Sequence, residues 1–162
     1  MSKTELIKEG KKAGKKIEDL FASLFSNAKR SKIEDDIYEH WDLSIEYKVD
    51  VKAMKRIHRG GDLNENIHWI ELYGITGKPG WIAGKADFFA FETEDYFIVV
   101  DKLKLQEFIK TLDLKDSNGF KITDKKELYK PYRRKDRKDL MVLVKTLDLC
   151  YISSFIIKKN HL

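Results

Sequence analysis

WDLSIEYKVDVKAMKR, residues Trp41 to Arg56, reads as two short strands joined by a tight turn. In the first arm Asp42, Ser44 and Glu46 alternate with Leu43, Ile45 and Tyr47, and in the second Asp50 and Lys52 alternate with Val49, Val51 and Ala53. A two-residue period marks a half-buried hairpin. Residues directly opposite in an antiparallel pair share a face, so the apolar faces match when paired numbers sum to an even value. Ser44 opposite Asp50 and Asp42 opposite Lys52 satisfy this, and they demand an odd loop at Glu46, Tyr47 and Lys48. That loop has no Gly, Asn or Asp to supply a positive backbone dihedral, so the burial pattern and not the turn sets the register.

The register gathers Asp42, Asp50 and Lys52 on one polar face. Carboxylates within about 5 Å of each other repel and raise one another's pKa unless a positive charge lies between them. A hard divalent cation meets that need. Mg²⁺, with Mn²⁺ as a substitute, takes carboxylate and backbone carbonyl oxygens and keeps several waters, so Asp42, Asp50 and the Val51 carbonyl suffice as an anchor. Lys52 would then stand beside the attacking water, where an ammonium stabilises the negative charge that develops as a phosphodiester is hydrolysed. The plain structural alternative is a surface hairpin with a Lys–Asp cross-strand pair.

An acidic residue two before a lysine also begins at Glu9, Glu46, Asp113, Asp124 and Asp136, so the triplet alone means little. Only Asp50-Val51-Lys52 sits in an alternating β-branched run with a second aspartate on the neighbouring arm. An aspartate on one strand and an acidic-x-lysine on the next, preceded by an amphipathic helix bearing a glutamate, resembles the PD-(D/E)XK nuclease superfamily. The resemblance covers roughly the first two-thirds of the chain, with Trp41 where that superfamily often has proline. It implies a restriction-endonuclease-like fold and metal-dependent DNA cleavage, with Asp42 and Asp50 as ligands and Lys52 as catalytic base or charge stabiliser. It also implies that Glu18, on the first helix, supports the metal site. The plain alternative for Glu18 is a surface partner to a nearby lysine. Gly84-Lys85-Ala86-Asp87 is similar to small phage-type members of the group, which brings Lys85 and Asp87 near the site or pairs them at a strand start.

The 162 residues suit one domain, 1–162, large enough for a core without staples. With 42% hydrophobic and 36% charged residues the chain reads as folded rather than disordered. The net charge of +5 favours a polyanionic partner. Cys150 is the only cysteine, which excludes an internal disulfide and a cysteine zinc site and fits a reducing, cytoplasmic setting. No apolar run approaches the length of a membrane span, and no HxxxH or HxH pair supports a histidine metal site, so His40 reads as structural.

Leu6, Ile7, Ala13, Gly14, Ile17, Leu20, Phe21, Leu24 and Phe25 recur at helical spacing, predicting a helix over 3–26. Residues 28–40 read as a connection with a helical turn. His68 to Tyr73 reads as the third strand, with Glu71 either a further carboxylate for the site or, the commoner outcome, an outward-facing glutamate. Tyr96 to Asp101 is a short strand, 102–112 a helix, Ser117-Asn118-Gly119 a turn, and Leu140 to Ile157 one or two closing strands.

Two basic stretches fit a phosphate backbone. Lys55, Arg56 and Arg59 precede a glycine pair, and residues 125–138 hold eight lysines and arginines with two tyrosines. Tyr132, Arg133, Arg134, Arg137 and Lys138 offer charge for phosphates and flat groups for exposed bases. Solvated loops of the same composition are the plain alternative. Together these readings give an α/β protein with a mixed central sheet and flanking helices, acting as a Mg²⁺-dependent DNA endonuclease. A nuclease-fold module that only binds nucleic acid or an acidic protein is the alternative, and a homodimer is one way to cut both strands.

Overall fold

Phe88–Glu92 (FFAFE) and Tyr96–Asp101 (YFIVVD) are apolar on both faces, the pattern of strands covered on each side. They lie inside the largest of the four sheets among the described residues. The computed structural model describes residues 3–56, 61–112, 114–116, 119–120 and 122–159, with side chains from Lys12 onward in the first helix. Its elements in order are α1 (Lys3–Ala22), β1 (Lys29–Arg30), α2 (Ile33–Glu39), β2 (Leu43–Ser44), β3 (Lys48–Lys52), β4 (Lys55–Arg56) and β5 (Leu63–Asn64). There follow β6 (Ile67–Tyr73), a 3₁₀ turn (Trp81–Ala83), β7 (Phe88–Glu92), β8 (Tyr96–Asp101) and α3 (Lys102–Thr111). The chain continues through β9 (Lys115–Asp116), β10 (Gly119–Phe120), β11 (Pro131–Tyr132), β12 (Leu140–Lys145), α4 (Thr146–Ile152) and β13 (Phe155–Lys158).

The central sheet is mixed, in the order β1-β2-β3-β7-β8-β13, and β3–β7 is its parallel pair. A second, antiparallel sheet runs β11-β12-β6. Alternation along the central strands sends their residues into two cores. Val49, Val51, Ala90, Phe97 and Val99 meet Phe21 of α1 on one side. Phe89, Phe91, Ile98 and Val100 meet Ile70 of β6, Val142 and Val144 of β12, Leu105 of α3 and Leu149 of α4 on the other. The Phe21 ring packs edge-on to Phe97 at 4.8 Å, a contact that ties α1 to the sheet.

Expected and observed elements agree at β8 and closely at β6 and α3, while α1 is shorter than the helix predicted over 3–26. Its periodicity runs on into Leu24 and Phe25, but there the bonds from Leu24 N to Phe21 O and Phe25 N to Ala22 O tighten the chain into a three-residue turn. The strand at 67–73 exists, but it joins the second sheet and not the hairpin's. The stretch read as one or two strands over 140–157 contains α4 between β12 and β13. Its Thr, Ile and Tyr disfavour helix slightly, and burial of Leu149 against α3 and β8 overrides that preference. Arg59 and Ser117-Asn118 of the expected turn lie outside the described residues, and the side chains of Leu6 and Ile7 of the expected stripe are not described. Among the described residues no helix is long and apolar enough to cross a membrane.

Gly80 sets the approach of the 3₁₀ turn to β6. Its N–H bonds to Leu72 O at 2.9 Å, and a Cβ there would lie 2.8 Å from the Glu71 carbonyl carbon, on backbone that has no room to yield. Gly80→Ala is expected to destabilise the protein by about 1–3 kcal/mol in urea unfolding; an unchanged midpoint would show that the turn can back away.

Candidate active site

β2 and β3 pair Leu43 with Val49 and Ser44 with Lys48. These sums are even, as the burial pattern requires, yet the register differs by two residues from the expected one and the loop is Ile45 to Tyr47. Ile45 N donates to Tyr47 O at 3.1 Å, closing the turn one residue early, and Ile45 packs into the α1 core. One residue further on, Asp42 N donates to Val49 O at 2.8 Å, so Asp42 stands beside the middle of β3 and Lys52 has no partner on β2. The expectation of a half-buried arm also fails: Val49, Asp50 and Val51 are all buried, because β7 runs alongside and both faces of β3 are covered.

Asp50 is 4% exposed. Its Oδ1 lies 2.5 Å from Lys52 Nζ, and its Oδ2 is buried with no hydrogen-bond partner. Burial pushes the Asp50 pKa up, against the pull of the Lys52 charge. The Lys52 ammonium also stands 4.4 Å over the Trp81 ring, which holds its stem in place. Asp42 accepts a 2.5 Å hydrogen bond from Val51 N through Oδ2. Burial, then the Asp50 charge, raises its pKa to about 7. The N–H and C=O of one strand residue point to the same edge, so the Val51 carbonyl lies on the edge that Asp42 occupies.

Glu18 belongs to this group. Burial and the Asp42 charge raise its pKa, while Arg30, 2.8 Å away, opposes them. Asp42 is therefore coupled to both Asp50 and Glu18, with Lys52 and Arg30 as the countercharges. Among the described residues no three His, Cys, Asp or Glu side chains are grouped to cage a metal by themselves. A cation here would rest on Asp42, Asp50, the Val51 carbonyl and water, the manner of Mg²⁺ rather than of Zn²⁺. The unpartnered Asp50 Oδ2, and an Asp42 carboxyl whose pKa is raised by burial and by the Asp50 charge, fit such an ion.

Two clefts meet at this point, sharing Gly14 and Glu18. The smaller contains Asp42, Arg30 and Asp36. The larger, about 530 Å³, has Val51 and Lys52 on one wall and Trp69, Glu71, Tyr132 and Met141 of the second sheet on the other. Lys55, Arg56 and Arg134 add positive charge. The cleft so joins both basic stretches, although they stand some seventy residues apart in sequence.

No family model, curated protein or solved structure matches the chain. The site is therefore argued from its own geometry.

The second basic stretch divides. Tyr132 and Arg134 line the cleft, whereas Arg133, Arg137 and Lys138 are exposed and are not among its lining residues. The Lys138 stem lies beside Gly77. Lys85 and Asp87 do not pair with each other. Lys85 Nζ binds Glu39 Oε1 at 2.8 Å, and Asp87 Oδ2 accepts from Lys48 N at 2.8 Å, so both brace the entry to β3. Glu39, between Lys85, Trp41 and Lys48, has its pKa lowered to about 2 by those hydrogen bonds. At the far end of β3, Met54 N donates to Glu92, whose other oxygen takes the buried Lys159 ammonium at 2.8 Å.

Glu71, expected to face outward, does so, and outward from the second sheet is into the cleft. Burial raises its pKa and the Lys52 charge opposes this. His68 and Trp81 were not legible as site residues, because no local pattern distinguishes them from core. His68 is 3% exposed, its Nε2 lacks a partner, and burial lowers its pKa to about 4, so it is neutral at pH 7.

Arg134 has a structural duty besides its place in the cleft. Its Nε and Nη2 both meet Oδ2 of Asp139, a fully buried carboxylate. Arg134→Ala strands that charge and is expected to cost about 3–5 kcal/mol in urea unfolding. The exposed Arg133→Ala should change stability by less than about 0.5 kcal/mol. Equal stabilities would show that Asp139 finds another partner.

Proposed function

We propose that the chain is a Mg²⁺-dependent DNA endonuclease of the PD-(D/E)XK type, on a restriction-endonuclease-like arrangement of its mixed sheet and helices. The observation that carries this reading is the meeting of Asp42, Asp50 and Lys52 at one buried point, with a carboxylate oxygen that no protein group satisfies. Asp42, Asp50 and the Val51 carbonyl hold the cation, with Glu18 behind them. When bound, the cation polarises the phosphoryl oxygen and makes water a better nucleophile near neutral pH.

The chain's own groups do the remaining work. Asp50 and the Trp81 ring fix the Lys52 ammonium, which stabilises the charge gathering on the phosphate as water attacks phosphorus. One P–O ester bond breaks, leaving a phosphate monoester and a hydroxyl. Lys55, Arg56 and Arg134 neutralise the flanking phosphates without reading sequence. Partial burial of Lys52 keeps the local dielectric low, where a single donor counts most.

Supercoiled plasmid incubated with the protein in Mg²⁺ should be nicked or linearised, and in EDTA it should stay intact. Asp50→Ala should lose both cleavage and Mg²⁺ binding by calorimetry. DNA bound firmly but left whole in Mg²⁺ and in Mn²⁺ would replace the enzyme with a binding module.

A further inference from the structure

The larger cleft is lined by more aromatic surface than phosphate binding needs. Trp69 and Tyr132 stand together on its second-sheet wall, ring centroids 5.5 Å apart and tilted by 41°, and Trp81 lies beneath Lys52. Sheet register explains the placing. Met141 pairs with both Glu71 and Tyr132, and Trp69 stands two residues from Glu71 along β6, so these four side chains share one face of the second sheet and line the cleft. Half-buried rings on an outward face cost solvation unless something covers them.

The reacting groups are also recessed. The Lys52 side chain, 22% exposed, lines the cleft of about 530 Å³, and Asp50, 2.5 Å from its Nζ, is 4% exposed behind it. That volume suits an object of drug-like size, hence one or two nucleotides. A duplex is a stiff rod whose bases are already paired and stacked, and it offers such rings nothing to lie against. An unpaired strand brings a flexible backbone for the deep phosphate site and a free base for the rings.

Resting on the nuclease reading, we propose that the cleft takes single-stranded DNA, with a base stacked on the Trp69–Tyr132 wall and the adjoining phosphate carried to Lys52. Lys55, Arg56 and Arg134 follow the backbone on either side. Selectivity for unpaired strands comes from the wall, and cleavage comes from the acids and Lys52.

Binding is measured in EDTA, apart from cleavage, by fluorescence anisotropy of the full chain at one fixed salt concentration. The probes are a labelled single strand of about 15 nucleotides and the same sequence as a blunt duplex. The single strand should bind at least about 10-fold tighter. Trp69→Ala and Tyr132→Ala should each weaken it by about 5- to 150-fold, the effect of losing one stacked base. Tyr132→Phe, which keeps the ring, should restore most of the loss and covers the case in which Trp69→Ala fails to fold. Duplex bound as tightly as the single strand, or Tyr132→Ala binding like the unaltered protein, overturns the proposal. Cleavage in Mg²⁺ separates the two readings: a tightly stacked strand left uncut removes the nuclease, and duplex cut in preference to single strand removes the stacking wall.

Discussion

Lys52→Ala should lower Mg²⁺-dependent plasmid cleavage by at least about 100-fold, the loss typical of removing one preorganised group that stabilises transition-state charge. The side chain is only 22% exposed, fixed between Asp50 Oδ1 and the Trp81 ring, so neither water nor a neighbouring lysine replaces it easily. The same contacts mean that the variant is not structurally silent. Asp50 loses its countercharge, and a stranded buried carboxylate costs about 3–5 kcal/mol unless it takes up a proton. Burial has already raised the Asp50 pKa, so protonation absorbs part of that cost. Lys52→Met keeps the stem over Trp81 and serves as the companion variant. Initial rates across a Mg²⁺ titration, with urea unfolding at the same pH, check both effects. A folded variant that cleaves within tenfold of the original removes Lys52 from the mechanism.

The second large effect is a fall in stability with rising pH in the metal-free protein. Asp42 titrates near 3.8 when unfolded and is raised to about 7 by burial and by Asp50. The folded state therefore holds the proton more tightly than the unfolded state, and stability falls as pH climbs from about 4 to about 7, levelling off above. Linkage over that window gives a protein about 2.5 kcal/mol less stable at pH 7.5 than at pH 5 from this group alone. Urea unfolding in EDTA at the two pH values measures it, and Asp42→Asn should remove this part of the slope. Mg²⁺ should restore stability at pH 7.5 and do little at pH 5, where the carboxyl is protonated. A slope unchanged in Asp42→Asn would show that Asp42 titrates normally.

Much of this was legible in the chain. Period-two alternation marked the arms of the hairpin and the parity of their pairing, and period-3.6 apolar spacing marked α1 and α3. Asp50 and Lys52 stood out by context, and the structure does bring Asp42 and Glu18 to them. The two-residue difference in register was not legible, because alternation constrains only odd or even. Which register wins depends on Ile45 packing into the α1 core. Nor could charge density tell that Arg134 is held by Asp139 while Arg133 is solvated, since neighbours in a loop diverge by side-chain direction alone.

The sequence by itself determined the element types, the apolar faces and the short-range triad candidates, because these follow from periodicities within a few residues. Only the tertiary structure decided that β6 belongs to a second sheet, that Trp69, Glu71 and Tyr132 form a wall opposite Lys52, and that Asp50 is buried from both sides. Those outcomes depend on which strands pair across tens of residues. Long-range pairing is chosen by the total burial of two cores at once, a quantity that no local window contains.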